Sequence, residues 1–182
     1  MHIGFYPRYN RLGASSRMRF FLYFDRWRRM EPKPESCGGS CSGCVAPCGE
    51  ILSIHPGLSD GYLRALYAGK CGAGRKLWEW CRLGLRLLAL EDALVIEYEL
   101  LPEASYRTEA WFLRNRRYVL NFDDNVWEKY RDRPRLRGKY DALIANAAGV
   151  IVANRFLYEK VRPLNANLCL IPTVVDLDAY RR

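Results

Sequence analysis

The chain lacks any apolar run long enough to cross a membrane, and its first residues lack the features of a secretion signal. A bilayer span needs roughly 18 consecutive apolar residues, and no stretch of the 182-residue sequence approaches that length. The opening MHIGFYPRYN has no basic start, no long apolar region and no small-residue cleavage site. We therefore expect a cytoplasmic protein, with peripheral contact at the inner face of the membrane as an open alternative.

The chain also lacks an even set of cysteines. It has seven and no export signal, so we do not expect a disulfide framework. Four of them, Cys37, Cys41, Cys44 and Cys48, fall in residues 31–49, where proline, glycine and serine predict a loop inserted into the domain. Their spacing is compatible with a structural zinc or an iron–sulfur cluster, and equally with an ordinary insertion. The first three match the spacing of radical SAM enzymes, but this chain is too short and differently ordered.

Glycine is scarce after the first apolar run, where Gly13 stands alone. The run His2 to Tyr6 followed by RLGASSRMR predicts a strand, a loop and a helix. A single glycine excludes a dinucleotide fingerprint and a P-loop. Backbone N–H groups and the hydroxyls of Ser15 and Ser16 at a helix start nevertheless suit a phosphate or a sugar hydroxyl. The alternative is that one serine only caps the helix.

Acidic residues are fewer than basic ones, 20 against 29, which gives a net charge of +9. This favours anionic partners. The predicted helix from Ser15 to Met30 carries five arginines among five aromatic residues. We interpret it as a core helix with solvated arginines, with Arg17 or Arg19 turned toward a site. Contact of its aromatic and basic face with an anionic membrane is the alternative; nucleic acid is not among the expected partners.

Apolar runs alternate with helical patterns along the whole chain, which is 49% hydrophobic. The runs that predict strands are residues 2–6, 50–54, 92–101, 118–122, 150–153 and 167–171. Such alternation requires right-handed crossovers and a parallel sheet. We therefore predict a single α/β domain over residues 1–182, a Rossmann-like open parallel sheet with helices on both faces.

Acidic residues lie at or near the carboxyl ends of two of the predicted strands. Asp123 and Asp124 end the fourth strand, and alternation places Glu97 and Glu99 on one face of the third. Ligands of open α/β sheets bind at the carboxyl edge, where these strands end. We expect Glu99 and Asp123 to converge on one cleft there. The alternative for one aspartate is that it caps the helix beginning near Asn125.

These segments together resemble the amino-terminal domain of the family 4 glycosyltransferases, the retaining enzymes of the GT-B fold. The similar stretches are GASSRMR at 13–19, VIEYELLP at 95–102, VLNFDDNVW at 119–127, GVIVANRFL at 149–157 and LIPTVVDLDAY at 170–180. They cover most of the chain outside the insertion. The resemblance implies an acceptor-binding domain that faces, across a cleft, a second domain holding the nucleotide-sugar donor. That donor-binding domain is absent from the 182 residues, so we expect no efficient transfer by this chain alone.

The resemblance also implies the ligands and the residues that bind them. Sugar would pass from a nucleotide-sugar donor to a glycan or lipid-linked acceptor, without a metal or any other cofactor. The implied catalytic residues are Asp123 and Glu99. The implied substrate-binding residues are Gly13, Ser15, Ser16, Arg17, Asp124, Asn154 and Thr173. Two other classes stay open: a non-catalytic acceptor- or membrane-docking subunit, and a metal-binding module built on the cysteine cluster.

Overall fold

A computed structural model describes residues 1–30, 44–45, 51–86 and 91–175. Its strands are β1 (His2–Tyr6), β2 (Cys44–Val45), β3 (Ile51–Ile54), β4 (Ala93–Glu97), β5 (Arg117–Phe122), β6 (Gly149–Val152) and β7 (Leu168–Leu170). The helices are α1 (Ala14–Ser16), α2 (Leu22–Met30), α3 (Asp60–Tyr67), α4 (Ala73–Arg86), α5 (Tyr106–Leu113), α6 (Lys139–Ala145) and α7 (Arg155–Val161). Apart from strand β2, the predicted cysteine insertion lies outside the described residues.

The seven strands form one sheet in the order β2-β3-β1-β4-β5-β6-β7. Six of them run parallel, and the short β2 pairs antiparallel with the edge of β3. The sheet is flanked by helices, so the predicted Rossmann-like α/β fold is confirmed. Strand β3 is added to the sheet on one side of β1, and strands β4 to β7 are added in sequence on the other side of β1. The strand order therefore reverses at β1 and β4, and such a reversal opens a crevice at the carboxyl edge.

The central strands form the core because their apolar side chains are covered on both faces of the sheet. Leu94 and Ile96 of β4 and Leu120 and Phe122 of β5 have no solvent exposure. Near-continuous apolar runs of this kind are typical of parallel strands, which are buried on both sides. Strand β4 ends earlier than predicted. Tyr98 has a left-handed backbone with φ 62°, which interrupts the pairing immediately after Glu97.

The helical region after β1 has an unusual middle turn. Arg17–Phe21 is π-helical and joins α1 to α2. Phe20, Phe21 and Phe24 are buried against the domain, as a core helix requires, whereas Tyr23 is exposed. Most of the aromatic side chains that suggested membrane contact are therefore used in packing. Within the described part of the chain, no helix is both long and apolar enough to span a bilayer.

A fully buried lysine ties the loop after β4 to two helices. Lys139, the first residue of α6, places Nζ 2.7 Å from Glu99 Oε2 and 2.7 Å from Glu109 Oε2. The same ammonium group donates to the Leu101 carbonyl at 2.7 Å. The contacts to Glu99 and Leu101 are hydrogen bonds, whereas the contact to Glu109 is an ion pair. Lys129 also binds Glu99, at 2.8 Å. Burial alone would raise the pKa of Glu99, but Lys139 and Lys129 hold it below its ordinary range.

We expect Lys139→Met to lower the free energy of unfolding by about 3–5 kcal/mol, because it leaves two buried carboxyl groups without their shared cation. Equilibrium urea unfolding measures the loss. Lys129→Met is the matched control: its side chain is 30% exposed, so we expect a loss of about 1 kcal/mol or less. Equal losses in the two variants would show that burial of Lys139 does not set the strength of this cluster.

Candidate functional site

The hydroxyl of Ser15 joins two carboxyl groups at the carboxyl edge of the sheet. Ser15 Oγ lies 2.6 Å from Glu97 Oε1 and 2.5 Å from Asp123 Oδ2. Glu97 is the last residue of β4, Asp123 follows β5, and Ser15 belongs to α1, which follows β1. Strands β1, β4 and β5 are adjacent. The three side chains therefore meet where the strand order reverses, the place at which open α/β sheets bind ligands.

Glu97 is the buried member of this cluster. Its Oε2 accepts the Ser16 hydroxyl at 2.5 Å and the backbone N–H of Arg8 at 2.7 Å. The side chain has no solvent exposure. Burial raises the pKa of Glu97, and the nearby Asp123 carboxyl adds to the rise, while the bonds from Ser15, Ser16 and Arg8 oppose it. Glu97 is thus fixed from three sides.

Asp123 is the more accessible member. Its Oδ2 accepts from Ser15, but its Oδ1 is buried and has no hydrogen-bond partner among the described residues. Burial raises the pKa of Asp123; the Ser15 hydroxyl opposes the rise, Asp124 increases it and Arg19 opposes it. Asp124 itself is exposed. Asp123 as a residue is only partly buried, so a ligand at this edge can approach it, although Oδ1 itself is shielded.

Gly13 allows the turn before α1 to close. A Cβ at this position would lie 2.4 Å from the Cβ of Tyr9, so a larger residue would push the turn open. Gly13 also occupies the N-cap position. The alternative that Ser15 or Ser16 is only a helix cap is therefore wrong: both hydroxyls reach carboxyl groups instead. Negative charge near the first turn of a helix is favourable, which fits the position of these carboxyl groups.

Of the two arginines predicted to face the site, the structure turns Arg19 inward. Its Nε and Nη2 donate to Asn121 Oδ1 at 3.1 and 2.6 Å, and its Nη1 donates to Thr173 Oγ1 at 2.8 Å. Thr173 is thereby held beside strand β5, although its side chain is exposed. Arg17 is exposed, and among the described residues its side chain donates to the Arg11 carbonyl, at 3.3 Å. Arg19, not Arg17, contributes the positive charge near Asp123.

Glu99 does not meet Asp123, and the alternation predicted to run through Glu99 stops at Glu97. The left-handed Tyr98 and a bond from the Glu99 N–H to the Glu97 carbonyl turn the chain there. Glu99 has no exposed side-chain surface and is bound by cations and tyrosine hydroxyls. The carboxyl that joins Asp123 is that of Glu97, which we did not assign to the site from sequence.

The other predicted residues line the same edge. Asn154 follows β6, and its Oδ1 accepts the Leu157 N–H at 2.9 Å, so it caps α7 while remaining exposed. After Asp124 the chain forms a 3-10 helix over Val126–Tyr130, whose N-cap position is held by Asn125 without a side-chain cap bond. The alternative that an aspartate caps this helix is therefore wrong.

A crevice of about 200 Å³ is lined by Arg8 and Tyr9, whose backbone N–H groups bind Glu97 and Ser16, although the cluster residues themselves do not line it. Its lining includes Arg8, Tyr9, Tyr62, Trp80 and Lys129. Arg8 connects the two features, because its backbone N–H binds Glu97 while its guanidinium lies 5.5 Å from the ring centre of Tyr9. Aromatic faces combined with a few polar groups are usual in small-molecule sites. Neither Arg8 nor Tyr9 was expected from sequence, because both precede the turn with Gly13, Ser15 and Ser16 that indicated the site.

No group of three or more metal-ligating side chains is arranged to hold a metal ion in residues 1–30, 44–45, 51–86 and 91–175. Four of the seven cysteines belong to the insertion, which is outside these ranges except for Cys44 and Val45. No family model and no curated protein matches this chain.

The raised pKa of Asp123 gives stability a definite dependence on pH. The folded protein holds a proton that the unfolded chain has released, from about pH 4 up to the raised value, so stability falls as pH rises through that range. We expect Asp123→Asn to remove this loss. Relative to the parent, the variant should gain up to about 1.4 kcal/mol per pH unit within the range.

Urea unfolding at a series of pH values measures this difference. Asp132→Asn, at an exposed position, serves as the control and should follow the parent at every pH. A constant offset between Asp123→Asn and the parent would contradict a raised pKa at Asp123.

Proposed function

We propose that this chain is the acceptor-binding half of a retaining glycosyltransferase, which transfers a sugar from a nucleotide-sugar donor to a glycan or lipid-linked acceptor. The observation that carries the proposal is the position of Ser15 between Glu97 and Asp123, at the point where the strand order reverses. This is the edge at which the resemblance to family 4 enzymes expects the acceptor. The fold and the cluster support the proposal together.

The chemistry of the cluster suits a sugar. Each sugar hydroxyl both donates and accepts hydrogen bonds, and each carboxyl oxygen can accept from two donors. Asp123 and Ser15 are both only partly buried. Because both stand at the ends of rigid elements, a hydroxyl bound there would be held in a defined direction, which is what transfer to one chosen oxygen needs.

The crevice that contains Arg8 and Tyr9 suits the rest of such a ligand. Tyr9 and Trp80 offer apolar faces, and Arg8 and Lys129 are cations that can pair with an anionic group such as a nucleotide diphosphate. Both cations also contact Glu99, Arg8 at 3.6 Å and Lys129 at 2.8 Å. Glu103 lines the same crevice, so the positive charge there is shared with acidic neighbours.

The division of labour follows from these groups. Retaining transfer requires stabilisation of an oxocarbenium-like sugar and of the departing diphosphate. The described residues bind and orient an acceptor, whereas the resemblance assigns the donor contacts to a facing domain or chain. Asp123 is the proposed contact to the acceptor, Ser15 and Glu97 hold Asp123 in place, and Arg8 contributes charge at the boundary with the donor.

The proposal is tested by sugar binding to the chain itself. Saturation-transfer NMR with a panel of methyl and octyl hexosides should detect binding of at least one glycoside by the parent. We expect Ser15→Ala and Asp123→Ala each to weaken that binding about tenfold or more, because each removes a hydrogen bond in which a carboxyl group takes part.

Asp132→Asn is the control and should bind as the parent does. Folding of each variant is checked by its unfolding midpoint. Binding that is equally strong in all variants would place the sugar elsewhere, and no binding of any glycoside by the folded parent would count against an acceptor site.

A further inference from the structure

The contacts around Ser15 require one proton more than its hydroxyl supplies. Ser15 Oγ is within 2.6 Å of a carboxyl oxygen on each side, from Glu97 and from Asp123. A serine hydroxyl has one proton to donate. If both carboxyl groups were ionised, one of these short contacts would bring lone pairs together without a proton between them. Tyr98 OH, 3.2 Å from Ser15 Oγ, can donate to the serine oxygen but cannot protonate that second contact.

The existing hydrogen bonds indicate where the additional proton rests. Ionised Glu97 receives three donors: the hydroxyls of Ser15 and Ser16 and the N–H of Arg8. Ionised Asp123 would have no donor on Oδ2 once the Ser15 proton points to Glu97, and none on its buried Oδ1. Buried charge is costly in proportion to the donors it lacks. With one proton on Asp123 Oδ2 pointing to Ser15 Oγ, and the Ser15 proton pointing to Glu97 Oε1, each short contact in the row Asp123–Ser15–Glu97 contains one proton.

We propose that Glu97 and Asp123 share one proton through Ser15, and that Asp123 is consequently an uncharged hydrogen-bond donor at the carboxyl edge near neutral pH. Glu97 is then a positioning residue that acts on Asp123 through the serine. This inference concerns the protein without ligand and does not depend on the proposed function. In a coupled pair of this kind the proton belongs to both carboxyl groups, and its release is described by an apparent pKa of the pair.

Charged and titratable groups face this pair from every side. Arg19, from the π-helical turn, and the backbone N–H of Arg8, after β1, favour the ionised forms. Asp124, next along the chain, disfavours ionisation of Asp123. Tyr98 closes the row from the end of β4. Burial of both carboxyl groups raises the pKa of each, in the direction that a retained proton requires.

A neutral Asp123 changes what the site can bind. A protonated carboxyl carries no charge, and while its one proton is donated to Ser15 Oγ it presents only acceptor oxygens to a ligand. It also avoids repulsion of an anionic ligand nearby. The row provides a path for the proton as well: Asp123 Oδ2 passes its proton to Ser15 Oγ as that hydroxyl passes its own to Glu97 Oε1. Asp123 then becomes an acceptor without any net exchange of protons with water.

The test is carbon NMR of the parent labelled with ¹³C at the aspartate carboxyl carbons. The signal lost in Asp123→Asn is that of Asp123. We expect it to retain the acid-form shift up to neutral pH, and therefore to titrate well above the ordinary range of aspartate. Titration of this signal in the ordinary range, or below it, would overturn the proposal.

Glu97→Gln tests the link through Ser15. A glutamine amide donates to Ser15 Oγ, so the serine proton turns to Asp123 and stabilises its carboxylate. We expect the proton affinity of Asp123 to fall about tenfold or more, that is, by about one pH unit or more. Ser15→Thr keeps the hydroxyl and should leave the midpoint unchanged. An Asp123 midpoint that is the same in Glu97→Gln as in the parent would contradict the shared proton.

Infrared spectroscopy decides the case if Glu97→Gln does not fold. The parent at pH 6 should show a protonated carboxyl band that shifts in heavy water and is missing from Asp123→Asn. Asp132→Asn should keep the band. Identical spectra of parent and Asp123→Asn in this region would show that Asp123 carries no proton.

Discussion

The ion cluster around Lys139 is the interaction on which the carboxyl edge depends. A cation with no solvent contact is stable only if its charge is compensated nearby, and here two carboxyl groups do so while a carbonyl accepts a further hydrogen bond. Those acceptors come from the loop after β4 and from α5, while the lysine begins α6. The cluster therefore pulls the chain inward directly after β4. That inward turn leaves Glu97, not Glu99, facing the serines of α1.

Two acidic residues that are two positions apart thus have opposite chemistry. Glu97 and Glu99 are both buried, so both lose the hydration that favours a charge. Lysines compensate for this loss at Glu99 and hold its pKa low. Glu97 receives only neutral donors and has a second carboxyl group as a neighbour, and its pKa is raised. The number of cations within reach decides the difference, because the cost of burial is of the same kind at both positions.

Much of the fold and part of the site could be predicted from the sequence. Alternating apolar runs and helical patterns predicted the parallel sheet, and the parallel sheet itself implied that Ser15 and Asp123 share an edge. The place of Glu97 in the site was not predicted, because it depends on the left-handed backbone of Tyr98. Tyrosine is uncommon in that conformation, so the local sequence did not indicate the turn. Long-range ion pairs such as Lys139 with Glu99 carry no sequence pattern either. Whether the four cysteines of the insertion bind a metal stays a prediction.

The π-helical turn Arg17–Phe21 explains why Arg19 rather than Arg17 reaches Asn121. Its wider turn closes with a bond from the Leu22 N–H to the Arg17 carbonyl, one residue further along than an α-helix allows. The serines precede this turn, Phe20 and Phe21 are its last two residues and Phe24 follows it, so the turn sets the rotation of the serines relative to the buried phenylalanines. Loss of one residue here would restore an α-helix and rotate the serines by about 100° relative to the buried phenylalanines. The length of this turn is therefore a constraint of its own: a deletion or an insertion between Arg17 and Phe21 would turn the serines away from Glu97 and Asp123 even if every remaining side chain were unchanged.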